Sequence, residues 1–151
     1  MDHLSIKRLH SGGLISNYYC CSTCRHCLYR SGPHWPKNYC TPQKALEVFK
    51  AIHKFECNAL HIGGGEPFLN QEGLLEILQM AKKCNIKIEY IETNASWFTN
   101  INNACVLLEK IRNLNVKKLL LSISPFHNEF TPFYKVKGLI HACHLCKIAI
   151  L

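Results

Sequence analysis

Acid is in short supply in this chain of 151 residues: 10 Asp and Glu stand against 18 Lys and Arg, for a net charge of +8. Charged residues make up only 19%, below the usual quarter, and apolar residues make up 48%. That balance excludes a disordered chain, a collagen-like chain and a coiled coil. No apolar run approaches the roughly 18 residues of a membrane span. The opening MDHLSIKRLH lacks the apolar stretch of a signal peptide, so a cytoplasmic location is expected. No Gly/Ser/Pro-rich linker or low-complexity stretch interrupts the chain. One domain over residues 1–151 is therefore expected, able to bury roughly two-thirds of its unfolded surface. The basic residues are scattered, with no cluster larger than Lys82-Lys83 or Lys117-Lys118. The excess suits an anionic partner, but it reads as a solvated basic surface before it reads as a nucleic-acid site.

Cysteine is abundant by contrast, with ten in all. Without a secretion signal, disulfides are disfavoured, and clustered cysteines point first to metal or redox chemistry. Four lie close together: Cys20, Cys21, Cys24 and Cys27.

Around them, short β-rich runs alternate with amphipathic ones. Residues 13–19 read as a strand that runs into the cysteines. Thr41-Pro42 reads as a cap with proline at the first helical position, opening a helix over about 42–55 with Leu46, Phe49, Ile52 and Phe55 on one face. A strand over 57–62 runs into Gly63-Gly64-Gly65. Asn70 caps a helix to about 84 that presents Leu74, Leu75, Leu78 and Ala81. A third strand, 86–92, ends at Thr93-Asn94. A helix over 101–113 buries Cys105, Leu108 and Ile111 or their neighbours. A fourth strand, 117–124, ends at Ser124-Pro125, and Thr131-Pro132 opens a helix over 132–145.

Strand and helix in repeated succession predict a parallel sheet of βαβ units. Strands three and four begin 31 residues apart, at Ile86 and Lys117, and the same step reaches Ile148, where IAIL begins a fifth strand. The expected fold is α/β, a parallel (βα)n partial TIM barrel with about four βα units and the start of a fifth strand. A closed eight-stranded barrel would need about 200–250 residues.

In parallel α/β folds, ligands gather at the C-terminal ends of the strands. Each unusual motif falls there: the cysteines after strand one, Gly63-Gly64-Gly65-Glu66-Pro67 after strand two, Glu92-Thr93-Asn94 after strand three, and Ser122 and Ser124 after strand four. Cys20, Cys24 and Cys27 follow a C-x3-C-x2-C spacing. A short loop can place such thiolates around one soft metal centre, leaving a cluster iron open to an outside ligand. Zinc is the competing reading, since Cys21-x2-Cys24 and Cys24-x2-Cys27 are zinc-like spacings, and His141, Cys143, His144 and Cys146 are possible further ligands. In the glycine motif, bare backbone carbonyls and Glu66 suit an amine donor.

The cysteine spacing followed by Gly63-Gly64-Gly65-Glu66-Pro67 resembles the radical S-adenosylmethionine (radical SAM) superfamily over residues 13–151. The resemblance implies that Cys20, Cys24 and Cys27 hold a [4Fe–4S] cluster, with Cys21 a bystander. It implies that S-adenosylmethionine chelates the fourth iron and that the strand edge Gly63, Gly64, Gly65 and Glu66 binds its methionine end. Thr93-Asn94 resembles the TN pair that ends strand three in many members, and Ser122 and Ser124 occupy a strand-four position that often contacts the cofactor. His26 stands where many members place an aromatic residue beside the adenine. The implied activity is reductive cleavage of S-adenosylmethionine to a 5′-deoxyadenosyl radical that abstracts hydrogen from a substrate, fed by an electron donor such as a flavodoxin or ferredoxin. The family core has about six βα units, so this core domain is expected to be incomplete at its C-terminus, with a second polypeptide or a missing C-terminal region completing the barrel; the alternative is a truncated, catalytically inactive iron–sulfur protein.

Other residues carry lesser expectations. Cys143 and Cys146 read as core residues before metal ligands. Cys40, Cys57, Cys84 and Cys105 read as isolated thiols. His127 and Glu129 are candidates for substrate contact or proton transfer. Tyr18, Tyr19 and Trp35 are expected to shield the cluster. The last strand is expected to leave an apolar edge exposed near Leu119, Leu121 and Ile148 to Leu151.

Overall fold

The computed structural model describes residues 5–151. Five parallel strands form one sheet in the order of the sequence: β1 (Gly12–Ile15), β2 (Ala59–Gly63), β3 (Lys87–Thr93), β4 (Lys118–Leu121) and β5 (Ala149–Ile150). Between them run α1 (Pro42–His53), α2 (Gln71–Lys83), α3 (Ile101–Asn113), the short α4 (Pro125–Asn128) and α5 (Phe133–Leu145). The order never reverses. Successive right-handed crossovers then lay every helix on the same face, which curves the sheet toward a barrel and gives no switch point of the doubly wound kind. This is the expected α/β part-barrel.

The helix starts follow local chemistry. Thr41 Oγ1 accepts from Lys44 N at 3.3 Å, Asn70 Oδ1 from Gly73 N at 3.0 Å, and Asn100 Oδ1 from Asn103 N at 2.9 Å. Thr131 does not cap α5. Pro132 occupies that position with no side-chain hydrogen bond, and the Thr131 hydroxyl is buried without a partner.

The helix ends share one device. A backbone bond spans five residues at each: Cys57 N to Ile52 O, Ile86 N to Ala81 O, Val116 N to Ile111 O and Ile148 N to Cys143 O. The residue before each donor has positive φ: Glu56, Asn85, Asn115 and Lys147, at 57°, 55°, 69° and 55°. This is the Schellman turn, built four times without glycine. It gives every helix-to-strand connection the same geometry, the structural form of the 31-residue period.

Leu14, Leu60, Ile62, Ile88, Ile91 and Leu119 pack from the sheet against Phe49, Leu74, Leu78, Leu108, Ile111 and Leu139 of the helices. The face of α2 buries Ile77 fully, with Leu75 at its margin. Cys143 and Cys146 belong to this core, and Cys57 is buried.

Several boundaries differ from expectation. Strand one stops at Ile15, because residues 16–19 leave the sheet to bond the glycine motif. Strand four stops at Leu121, and α4 begins immediately beyond Ser124. Between Leu60 and Ile62 the β2–β3 register slips, so β3 carries an extra residue and strict alternation fails across Glu89 and Tyr90. Leu119 and Leu121 are not at the edge. Leu151 N donates to Leu119 O and Leu121 N to Leu151 O, and both leucines are buried with Ile148, so the exposed apolar residues are Ile150 and Leu151.

Candidate metal and cofactor site

The cysteine loop is held against the glycine motif by the backbone. Ser16 donates its N–H and its hydroxyl to Gly63 O, at 2.9 and 3.0 Å. Gly65 N donates to Asn17 O at 2.8 Å and Glu66 N to Tyr19 O at 3.0 Å. The approach is so close that a Cβ on Gly64 would strike the Asn17 carbonyl and one on Gly65 the Tyr19 carbonyl. Gly64 also has φ of 137°. Glycine is required at both positions for these two reasons. Gly63 has another: a Cβ there would lie 2.6 Å from the Glu92 carboxylate.

The loop and the strand ends enclose one cavity of about 270 Å³. Cys20, Cys24, His26, Cys27, Gly64, Gly65, Thr93, Asn94, Ser122 and His127 line it. The three expected thiols are free and share this cavity, while Cys21 is exposed. Cys20 Sγ accepts from Asn94 Nδ2 at 3.3 Å and from Ser22 N at 3.4 Å, and Cys27 Sγ accepts from Ser31 N at 3.4 Å. The thiol of Cys20 is raised above its ordinary value, first by its hydrogen bond with Cys21 and then by burial. Burial raises Cys24 as well.

Glu66 stands behind the wall of the cavity. Its side chain is fully buried and accepts from Phe68 N at 3.1 Å, Thr93 Oγ1 at 3.0 Å and Asn94 N at 2.7 Å. Thr93 Oγ1 in turn accepts from Ala95 N and from Trp97 Nε1, whose ring stacks on Phe68. Every hydrogen bond of the carboxylate in this structure is therefore internal. It ties the glycine motif to Thr93-Asn94, and Asn94 carries the tie on to Cys20. Burial pushes the Glu66 carboxyl up to about 7, against the three hydrogen bonds that pull it down.

Ser122 N donates to Thr93 O at 2.8 Å, which sets it at the rim of the cavity. Ser124 does not line the cavity: its Oγ lies 2.7 Å from His127 Nδ1 and caps α4. The His26 ring packs against Phe126 and, edge-on, against His127, at 5.0 and 4.8 Å between centroids. Burial lowers His127 below its usual value, with His26 adding to the effect. Glu129 sits 3.2 Å from Arg25 in an exposed pair. Tyr18 and Trp35 do not cover the cysteines. They pack together at 5.2 Å and, with Tyr39, line a separate apolar groove beside β1; Tyr19 stacks under Lys37.

Glu92, named in the sequence with the Thr93-Asn94 motif but given no role, also lines the cavity, as do Tyr29 and Ser31, which sequence reasoning passed over. Tyr29 and Ser31 follow the last cysteine with no pattern to mark them.

Among the described residues no group of three or more His, Cys, Asp or Glu side chains is arranged to hold a single metal ion, the three cysteines included. Ser31 Oγ, in the cavity wall, is buried with no hydrogen-bond partner. Cys143 and Cys146, in the core under α5, do not reach this cavity.

The sequence model of the Radical SAM superfamily matches residues 14–142. The chain belongs to the radical SAM superfamily. Radical SAM proteins are enzymes that bind a [4Fe–4S] cluster and S-adenosylmethionine. No curated protein matches the sequence. Among solved structures, HydG, a maturase of the [FeFe]-hydrogenase, aligns with a TM-score of 0.61 at 14% identity, over 90% of this chain and 34% of its own. Streptococcus suis SuiB, solved bound to S-adenosylmethionine, aligns with a TM-score of 0.51 at 13% identity, over 94% of this chain and 38% of its own. This radical SAM chain thus shares their fold and spans little more than a third of their length. No described helix is long and apolar enough to cross a membrane.

Proposed function

We propose that Cys20, Cys24 and Cys27 ligate a [4Fe–4S] cluster and that S-adenosylmethionine binds beside it. The observation that carries this is the meeting of three unlinked thiols, the Gly64-Gly65 edge and Thr93-Asn94 around one cavity in a radical SAM fold. SuiB, similar in fold, holds the same cofactor. When bound, the two groups supply a 5′-deoxyadenosyl radical able to abstract hydrogen from a substrate.

The chain's residues prepare that site. Asn94 donates to Cys20 Sγ, a hydrogen bond of the kind that tunes a cluster thiolate. The backbone of Gly64 and Gly65, free of side chains, offers carbonyls to the methionine amine. His26, steadied by Phe126 and His127, gives the adenine a ring to stack on. Ser122 is placed for a hydroxyl contact. The electron donor is a one-electron carrier such as a flavodoxin or ferredoxin, and the working compartment is the cytoplasm.

Anaerobic iron–sulfur reconstitution tests the reading. The chain should turn brown, S-adenosylmethionine should perturb the reduced EPR signal, and 5′-deoxyadenosine should form. Cys24→Ala should lose the cluster, while Cys21→Ala and Cys143→Ala keep it. Stoichiometric zinc without sulfide in anaerobically purified protein, or a full cluster in Cys24→Ala, would defeat the assignment.

A further inference from the structure

The face of the sheet turned away from the helices carries polar side chains that the proposed cofactor contacts do not include. Leu60, Ile62, Ile88 and Ile91 enter the core, and His61, Tyr90 and Glu92 lie half-buried on the other face. The His61 and Tyr90 rings stack 4.9 Å apart, and Glu92 Oε1 lies 3.8 Å from His61 Nε2.

Each polar group lies over a glycine of the preceding strand. Gly13 faces His61 in the β1–β2 register, and a Cβ there would sit 2.8 Å from the imidazole Nε2. Gly63 does the same for Glu92. Half-burying a carboxylate and an imidazole costs solvation. Two bare strand positions make room for them, and among the described residues the Glu92 carboxylate is paired with no Lys or Arg, only with His61, a cation only when protonated.

Glu92 also reaches the cavity of the three cysteines, as does Tyr29. Burial raises both phenols, and the Glu92 charge adds to the effect. Tyr29 shares the cavity wall with Glu92, whereas Tyr90 does not line the cavity and has one ring face against His61.

We propose that Glu92, with Tyr29 in the same cavity wall, binds the ammonium group of an amine-bearing substrate in this cavity. The carboxylate supplies a charge-assisted hydrogen bond and the Tyr29 ring adds cation–π attraction, a combination that selects an organic cation over an anion or an alcohol. That the ligand is the substrate rests on the radical SAM reading; that the site takes ammonium groups does not.

The test uses the full 151-residue chain, thiol-reduced and without cofactors. n-Butylammonium is titrated beside n-butanol and butyrate, and the ring NMR signal of Tyr29 is followed, assigned through Tyr29→Phe. The ammonium alone should give a saturating shift of this ring. Glu92→Gln, which keeps the shape over Gly63, should weaken binding at least about tenfold. Should Glu92→Gln fail to fold, Glu92→Asp replaces it: the charge, drawn back by one methylene, should still select the ammonium but bind it more weakly. Equal shifts from butanol or butyrate, no saturation, or unchanged affinity in Glu92→Gln overturns the proposal. In reconstituted protein, Glu92→Gln should leave S-adenosylmethionine affinity within about twofold. A larger loss assigns Glu92 to the cofactor and also overturns it. Failed reconstitution alone would sink the radical SAM reading and leave the ammonium site standing.

Discussion

Three donors converge on the Glu66 carboxylate in a fully buried setting, and burial still holds its pKa near 7, against an ordinary 4.5. For an acid raised in this way, the native state holds the proton over a window where the unfolded chain has lost it. Its contribution to stability is complete below about pH 4.5 and is lost as pH rises toward 7. The whole effect is about 3 kcal/mol. Urea unfolding at pH 5 and pH 8 should show that slope. Glu66→Gln should flatten it, and should cost about 1–3 kcal/mol at pH 5, because an amide cannot accept from all three donors. An unaltered slope in the variant would mean that another group titrates. As a positioning residue, Glu66 should affect cofactor affinity through the placement of Asn94 and not through a contact of its own.

At the scale of elements, the glycines sort by what lies next to them. Gly65→Ala forces a methyl group into the Tyr19 carbonyl and separates the cysteine loop from β2. Gly12→Ala meets nothing closer than 3.9 Å. The first should cost about 1–3 kcal/mol of overpacking and reduce iron retention, and the second should do neither. Matched denaturation curves and iron content decide; equal losses would show that the loop is not docked in this way. The four Schellman turns make a further prediction. Glu56 and Lys147 hold positive φ without the local polar bonding that eases Asn85 and Asn115 into it. Glu56→Gly and Lys147→Gly should each stabilise by about 0.5–1 kcal/mol, and Asn85→Gly by less. A fall in the urea midpoint for both would contradict the turn assignment.

Over the whole molecule, the sheet runs from β1 to β5, and its final strand exposes Ile150 and Leu151 beside an outer row of backbone groups with no partner among the described residues. Such an edge templates association. The 151-residue chain should self-associate with rising concentration in light scattering, and Ile150→Lys should reduce it. A monomer unaffected by the substitution would show that the edge is inert. Association here is separate from the cofactor site, since the cysteine loop and glycine motif dock through β1 and β2 at the other side of the sheet.

Periodicity by itself determined the part-barrel, because strand and helix patterns come from side-chain spacing, which is local. Thr41, Asn70 and the cysteine and glycine motifs were legible for the same reason: each acts within a few residues of itself. Strand ends were less legible, since what stops β1 at Ile15 is Gly63 to Glu66, nearly fifty positions away. The Schellman turns escaped notice because glycine, their usual marker, is absent. The resemblance implied Ser124 beside the cofactor; the structure shows its hydroxyl capping α4, three residues before His127. The resemblance likewise implied Glu66 at the methionine end. Only the packed structure shows its carboxylate enclosed by Phe68, Thr93 and Asn94, and shows Glu92, one residue before the recognised pair, in the open cavity. A side chain's partners across a sheet are set by strand register, and register is a property of the tertiary structure.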